Sequence, residues 1–142
     1  MTIQDNNYIE LKKDNTTFRF LATGDLFDAY HHDVMINQVK SNPIDGSMNN
    51  LYLRFFMENE VTEVYPLIGV SSQSQLKVNQ QQLKYTGQVK GVTYEVLFTL
   101  ATENTWFWDI TLNGSNQTVD IIYGQDVGMA YTGALQSNEA YT

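Results

Sequence analysis

The segment FDAYHHDVMINQ, residues 27–38, places Asp28, His31, His32 and Asp33 in one short stretch. Imidazole and carboxylate are the side chains of metal sites and of general acids and bases. Either chemistry needs such groups to converge on one point. In extended chain, neighbouring side chains point to opposite faces, so His31 and His32 do not share a ligand and read as a structural pair. Their adjacency departs from spaced zinc patterns, and a chain without cysteine has no thiolate site. No metal ligand is assigned. Glycosidic cleavage wants two carboxyl groups flanking the bond, a geometry that strand sequences do not reveal. The chain has no G-x-S-x-G, no P-loop and no G-x-G-x-x-G. No catalytic residue is assigned either, and the chain alone is not expected to turn over a substrate.

Sugar binding is the chemistry that the remaining side chains could carry. Aromatic residues make up 13% of the chain, and the C–H face of a pyranose stacks on an indole or phenol. Trp106 and Trp108, spaced i, i+2 on an apolar strand face, read as core. Sugar hydroxyls are bound by amides, carboxylates and guanidinium groups. These are concentrated in an irregular stretch holding Asn37, Gln38, Asp45, Asn49, Asn50, Tyr52 and Arg54. The competing reading is turn chemistry, since Pro43-Ile44-Asp45-Gly46 has the composition of a β-turn.

The elements that must position these groups follow a period of two. In VTYEVLFTL, Val92, Tyr94, Val96, Phe98 and Leu100 share one side, against Thr93, Glu95, Leu97 and Thr99. TWFWDITLN and the run at 118–123 alternate in the same way. Lys90-Gly91 and Asn113-Gly114 are hairpin-turn dipeptides. Residues 82–123 therefore predict a four-stranded meander. Earlier strands are expected at 8–12, 17–22, 51–57, 62–70 and 75–79, with Pro66 demoting its stretch to an edge or bulge. Residues 24–50 predict one or two short strands and a loop from about Ser41 to Asn50. The fold class is all-β, an antiparallel β-sandwich of roughly ten strands.

The 142 residues predict one domain with a core that needs no staples. A net charge of −8 argues against nucleic acid and acidic membranes, which call for a basic footprint. All Lys and Arg lie between Lys12 and Lys90. From Gly91 onward the charged residues are Glu95, Glu103, Asp109, Asp120, Asp126 and Glu139, all acidic. Such a half is a solvated face or one that meets cations elsewhere. There is no signal-like start and no apolar run of membrane-spanning length, so a cytoplasmic location is expected.

Two stretches are more specific. GDLFDAYHHDVMINQVKSNPIDGSMNNLYLR and DIIYGQDVGMAYTGALQSNEAYT, with YEVLFTLA and WFWDITLNG between them, resemble the amino-terminal region of glycoside hydrolase family 94. These inverting carbohydrate phosphorylases were formerly glycosyltransferase family 36. The similar branch is that of 1,2-β-oligoglucan phosphorylases and cyclic β-1,2-glucan synthases, and the resemblance runs from about Thr17 to Thr142. It implies a supersandwich of the galactose-mutarotase-like kind, truncated at its C-terminus and followed in the parent by a helical barrel. That barrel would carry the catalytic acid and the phosphate site, so the acid lies outside this chain. Residues 1–142 would be one non-catalytic sandwich domain that scaffolds the barrel. Its partners would be the barrel, a β-glucan oligosaccharide and, in a homodimer, a second copy. The chain would need no cofactor, inorganic phosphate being the parent's co-substrate. Substrate-cleft contacts would fall on Asp45, Gly46, Asn49, Asn50, Tyr52 and Arg54. The alternatives are a free-standing carbohydrate-binding module and an interaction domain without a sugar role.

Overall fold

The computed structural model describes residues 8–114 and 116–128, and the backbone of 130–131. In chain order the strands are β1 (Tyr8–Lys13), β2 (Thr16–Leu21), β3 (Leu26–His31), β4 (Val34–Met35), β5 (Asn50–Met57) and β6 (Glu60–Pro66). They continue as β7 (Gln75–Val78), β8 (Gln82–Val89), β9 (Val92–Thr102), β10 (Thr105–Gly114), β11 (Thr118–Gly124) and β12 (Ala130–Tyr131). Among the described residues there is no helix, and so none long and apolar enough to cross a membrane. All strand pairs are antiparallel.

Local sequence explains the connections. Lys13 pairs with Thr16, His31 with Val34, Met57 with Glu60, Val89 with Val92 and Thr102 with Thr105, so each connection has two residues. Tight hairpins favour left-handed backbone at the turn, which matches the strand twist. Asp14, His32, Glu58, Asn59, Lys90 and Gly91 all have positive φ.

The strands form three sheets, ordered β1-β2-β3-β4-β12, β10-β9-β8-β7 and β11-β5-β6. Their inner faces meet in one core, which makes the fold an antiparallel β-sandwich. Phe98 of β9 lies 5.2 Å from both Phe18 and Phe20 of β2, ring centre to ring centre. Trp108 of β10 lies 4.7 Å from Phe98 and 6.2 Å from Tyr123 of β11. Trp106 and Trp108 are half-buried against this cluster, as their i, i+2 spacing implies. Pro66 ends β6, the edge strand of its sheet, and the β5–β6 register shifts at Phe55/Phe56.

The expected meander over 82–123 needs correction. β8, β9 and β10 are consecutive neighbours, but β11 leaves their sheet and pairs with β5. Asn113-Gly114 is not a hairpin turn: both residues still pair with β9, Gly114 opposite Val92. The β5 pairing wins because it satisfies both faces of β11. Val119 and Ile121 fall beside Phe55 and Leu53 on the core side, and Asp120 falls beside Arg54 outside.

Candidate functional site

The family-like motifs converge on the irregular stretch between β4 and β5. At its centre is Asp25, only 1% exposed, in the turn between β2 and β3. Its Oδ1 accepts a hydrogen bond from Ser47 N at 3.1 Å. Its Oδ2 accepts from Val70 N at 2.9 Å and from the Thr23 hydroxyl at 2.7 Å. Two segments distant in sequence are thus tied to a carboxylate that its own turn also holds, and burying a charged group needs this kind of multiple donation. Two glycines make room for it. A Cβ on Gly46 would come within 2.9 Å of Oδ1, and one on Gly69 would overlap the carboxylate; both have left-handed backbone, φ +75° and +83°. Tyr85 closes the floor, its hydroxyl donating to Gly24 O at 2.7 Å. Burial, with Asp25 nearby, pushes the Tyr85 hydroxyl well above its ordinary pKa.

Asp126 does similar work on the other side of the stretch. Its Oδ2 accepts from Gln38 N at 2.9 Å and Val39 N at 2.6 Å, while its own N donates to Asn49 Oδ1 at 2.9 Å. Gly128 N donates to Ile36 O at 2.7 Å. The segment YGQDVG is therefore stitched along the stretch rather than free of it.

The sequence-predicted contact residues fall into three groups. Asn37, Asn49 and Asn50 are buried and their amides serve the backbone. Asn37 bridges Ala29 N, Phe27 O and Val39 O. Asn50 Oδ1 accepts from Ile68 N at 3.1 Å, and its Nδ2 donates to Ile68 O at 2.9 Å. Asp45 is exposed in the turn, with its backbone N donating to Asn42 Oδ1 at 2.8 Å. Tyr52 and Arg54 instead face outward from β5, half-buried. The Arg54 guanidinium grips Asp120 in a fork, Nε to Oδ1 at 2.8 Å and Nη2 to Oδ2 at 2.6 Å, and lies over the Phe56 ring. The structure brings Tyr52 and Arg54 to one sheet face, and Asp45 and Asn49 to the loop at its end.

Hydrogen bonding from Arg54 holds the Asp120 carboxyl below its ordinary pKa of 3.8. Its contribution to stability is therefore present above that value and fades as the pH falls through the lowered one. In Arg54→Gln the Asp120 titration is expected to move up toward 3.8. A carboxyl-detected NMR titration checks this; an unmoved midpoint would show that the fork does not persist in solution.

Two acids of the half beyond Gly91 meet cations within the chain: Glu95 pairs with Lys84 at 3.1 Å, as Asp120 does with Arg54. The Asp28–His31–His32–Asp33 cluster does not converge. Asp28 is fully buried, accepting from Arg19 Nε at 2.8 Å and Nη2 at 2.5 Å, and the same guanidinium lies over the Tyr8 and Phe27 rings. His31 points instead to the hairpin tips, where Thr16 Oγ1 lies 2.7 Å from its Nδ1. Among the described residues no cluster of three or more His, Asp or Glu side chains could hold a metal ion.

A family profile described as the SOGP N-terminal domain matches residues 19–142. The chain belongs to this family. It is also 33% identical over 132 residues to the 1,2-beta-oligoglucan phosphorylase of Listeria innocua serovar 6a, covering 93% of this chain but 12% of that relative. In this SOGP N-terminal domain the motif IDG-S-NN is a structural knot, and the adjoining LYLR displays outward side chains. Sequence reasoning missed Asp25, Asp126 and Glu103 as organising groups. Asp25 and Asp126 each stand one or two residues from a glycine, in GD and GQDVG, a signal that reads as turn chemistry until the distant backbone donors are placed.

Proposed function

We propose that this chain is the non-catalytic amino-terminal sandwich of a phosphorylase that cleaves β-1,2-linked gluco-oligosaccharides with phosphate and inversion. It scaffolds the helical catalytic barrel and extends loop residues toward the substrate cleft. The family membership supports the class, and the relative's name supports the substrate. The observation that carries the scaffolding role is the outer face of the β11-β5-β6 sheet. Register places Tyr52, Pro66 and Ile122 side by side, then Arg54, Val64 and Asp120, then Phe56, Val61 and Thr118. Val64 is 49% exposed and Ile122 41%. An apolar sheet face of this kind marks an interaction surface. The outer face of β8 and β9 is more polar, with Lys84, Thr86, Thr93, Glu95 and Thr99 around Leu97. The barrel would pack on the apolar face, with the Arg54–Asp120 fork fixing its register. The exposed Asp45 would then lie at the rim of the joint, where it reaches a sugar chain, and Asn49, buried, would hold that loop in place through Asp126 N and Ser47 Oγ.

Two results test this. The chain incubated with sophorose-type oligosaccharides and phosphate is expected to release no glucose 1-phosphate; turnover would overturn the non-catalytic assignment. In the full-length enzyme, Ile122→Asp with Val64→Asp is expected to lower the thermal midpoint of the assembled protein and its phosphorolytic rate. The same pair should leave the separate sandwich folded, with a smaller fall in its thermal midpoint than the full-length enzyme shows, since both side chains are already partly exposed there. Unchanged assembly would remove this face from the interface.

A further inference from the structure

Three hairpin tips interlock at one end of the sandwich. His32 N donates to Asn15 O at 2.9 Å, tying the β3–β4 turn to the β1–β2 turn. Asn15 donates from its backbone N at 3.1 Å and its Nδ2 at 3.2 Å to Glu103 Oε2, in the β9–β10 turn. The Thr16 hydroxyl donates to Glu103 O at 2.5 Å. These ties hold open a cleft of about 250 Å³ lined by His31, Val34, Ile36, Glu103, Asn104 and Trp106.

The cleft's polar groups keep hydrogen-bonding capacity. Because Thr16 gives its only hydroxyl proton to Glu103 O, the 2.7 Å contact with His31 makes Nδ1 the donor. In the neutral ring that leaves Nε2 as an acceptor. Glu103 Oε2 takes both Asn15 donors, so Oε1 stays unengaged among the described residues. The Asn104 side-chain amide and the Trp106 indole N–H are likewise unengaged among them. Hydrogen bonds from Asn15, with His31 and His32 close by, hold the Glu103 carboxyl below its ordinary pKa. Val34, Ile36 and the Trp106 ring supply the apolar part.

We propose that this cleft binds a single neutral hexopyranose unit, with Trp106 against its C–H face and Glu103, Asn104 and His31 on its hydroxyls. The occupant must be compact, with one apolar face and several hydroxyl groups. A carboxylate in the lining disfavours an anion, and the same side chains do not form a metal cluster. A lining that combines acceptors and donors with aromatic and aliphatic side chains matches a pyranose ring. The inference goes beyond the assignment to a phosphorylase: it rests on the hairpin tips, at side chains apart from the Tyr52–Arg54 face, and needs no barrel.

The test is a titration of the nitrogen-15-labelled chain with glucose and with sophorose, followed by NMR. Saturable shifts are expected at the Trp106 indole N–H and the Asn104 side-chain amide, with the Trp108 indole unmoved. A ligand this small implies a roughly millimolar dissociation constant. Glu103→Gln keeps the side-chain shape and Asn104→Ala alters an exposed turn position, so both should fold. Each is expected to weaken binding about tenfold, the loss of one good polar contact. Absence of a saturable Trp106 shift up to about 100 mM sugar, or affinity unchanged in both variants, would overturn the site. Neither failure would touch the phosphorylase assignment, whose tests read turnover and assembly.

Discussion

Gly69→Ala is expected to destabilise the fold by about 3–5 kcal/mol, combining the strain of left-handed backbone with displacement of a buried hydrogen-bonded carboxylate. The new methyl group would occupy the position of the Asp25 carboxylate, and Gly69 holds φ +83°. Relief could come only by moving Asp25, which would abandon Ser47 N and Val70 N, or by moving backbone beside the fully buried Leu67 and Ile68. Chemical denaturation with unchanged slope measures the loss. The mechanism makes a sharper demand on the double variant. Asp25→Ala alone should be costly because it orphans two backbone donors, yet it removes the atoms with which the added methyl group collides. The two losses should therefore sum to more than the double variant loses, with a coupling of about 1–3 kcal/mol. Strict additivity would mean that the cost of Gly69→Ala is backbone strain alone, and a loss below about 1 kcal/mol would mean that the knot gives way easily.

This knot marks the limit of what the sequence makes legible. Strand faces follow from alternation, because a pleated strand with one buried side leaves a period-two imprint: Val92, Tyr94, Val96, Phe98 and Leu100 are buried as their pattern implies. Two-residue turns are legible where Gly marks them, as at Lys90-Gly91, and less so at Glu58-Asn59 or Glu103-Asn104. Which strand pairs with which is a longer-range matter. Asn113-Gly114 carries a strong local hairpin signal, and β11 still crosses to β5, because Arg54 and the Leu53–Phe55 face lie far away in sequence and compete successfully for it. The site shows the same division. Amide-rich loops suggest ligand contacts, yet Asn37 and Asn50 satisfy backbone groups eight to eighteen residues away. Residue type advertises hydrogen-bonding capacity without saying which partner takes it. Tyr52 and Arg54 are a simpler case: in LYLRFF they alternate with the buried Leu51, Leu53 and Phe55, so the pleat itself turns both outward.

Phe98→Ala is expected to cost about 3–5 kcal/mol, the range for removing a fully buried aromatic ring. Phe98 is at 0% exposure and its ring touches Phe18, Phe20 and Trp108, so it joins the five-stranded sheet to the four-stranded one. A smaller side chain could not restore those contacts without closing the sheets onto each other, and packed sheets resist such collapse. Phe107→Ala supplies the internal control. Phe107 sits on the neighbouring strand, opposite Thr99, at 50% exposure on the outer face. Its loss should shift stability by no more than about 0.5 kcal/mol. The contrast tests register directly, because a one-residue slip of β10 against β9 would exchange inner and outer faces and bring Phe107 inward with Trp106 and Trp108 outward. Urea denaturation of both variants, followed by tryptophan emission, reads stability and the environment of Trp108 together. Comparable losses in the two variants would contradict the observed pairing of Trp108 with Phe98, and with it the core on which the three sheets meet.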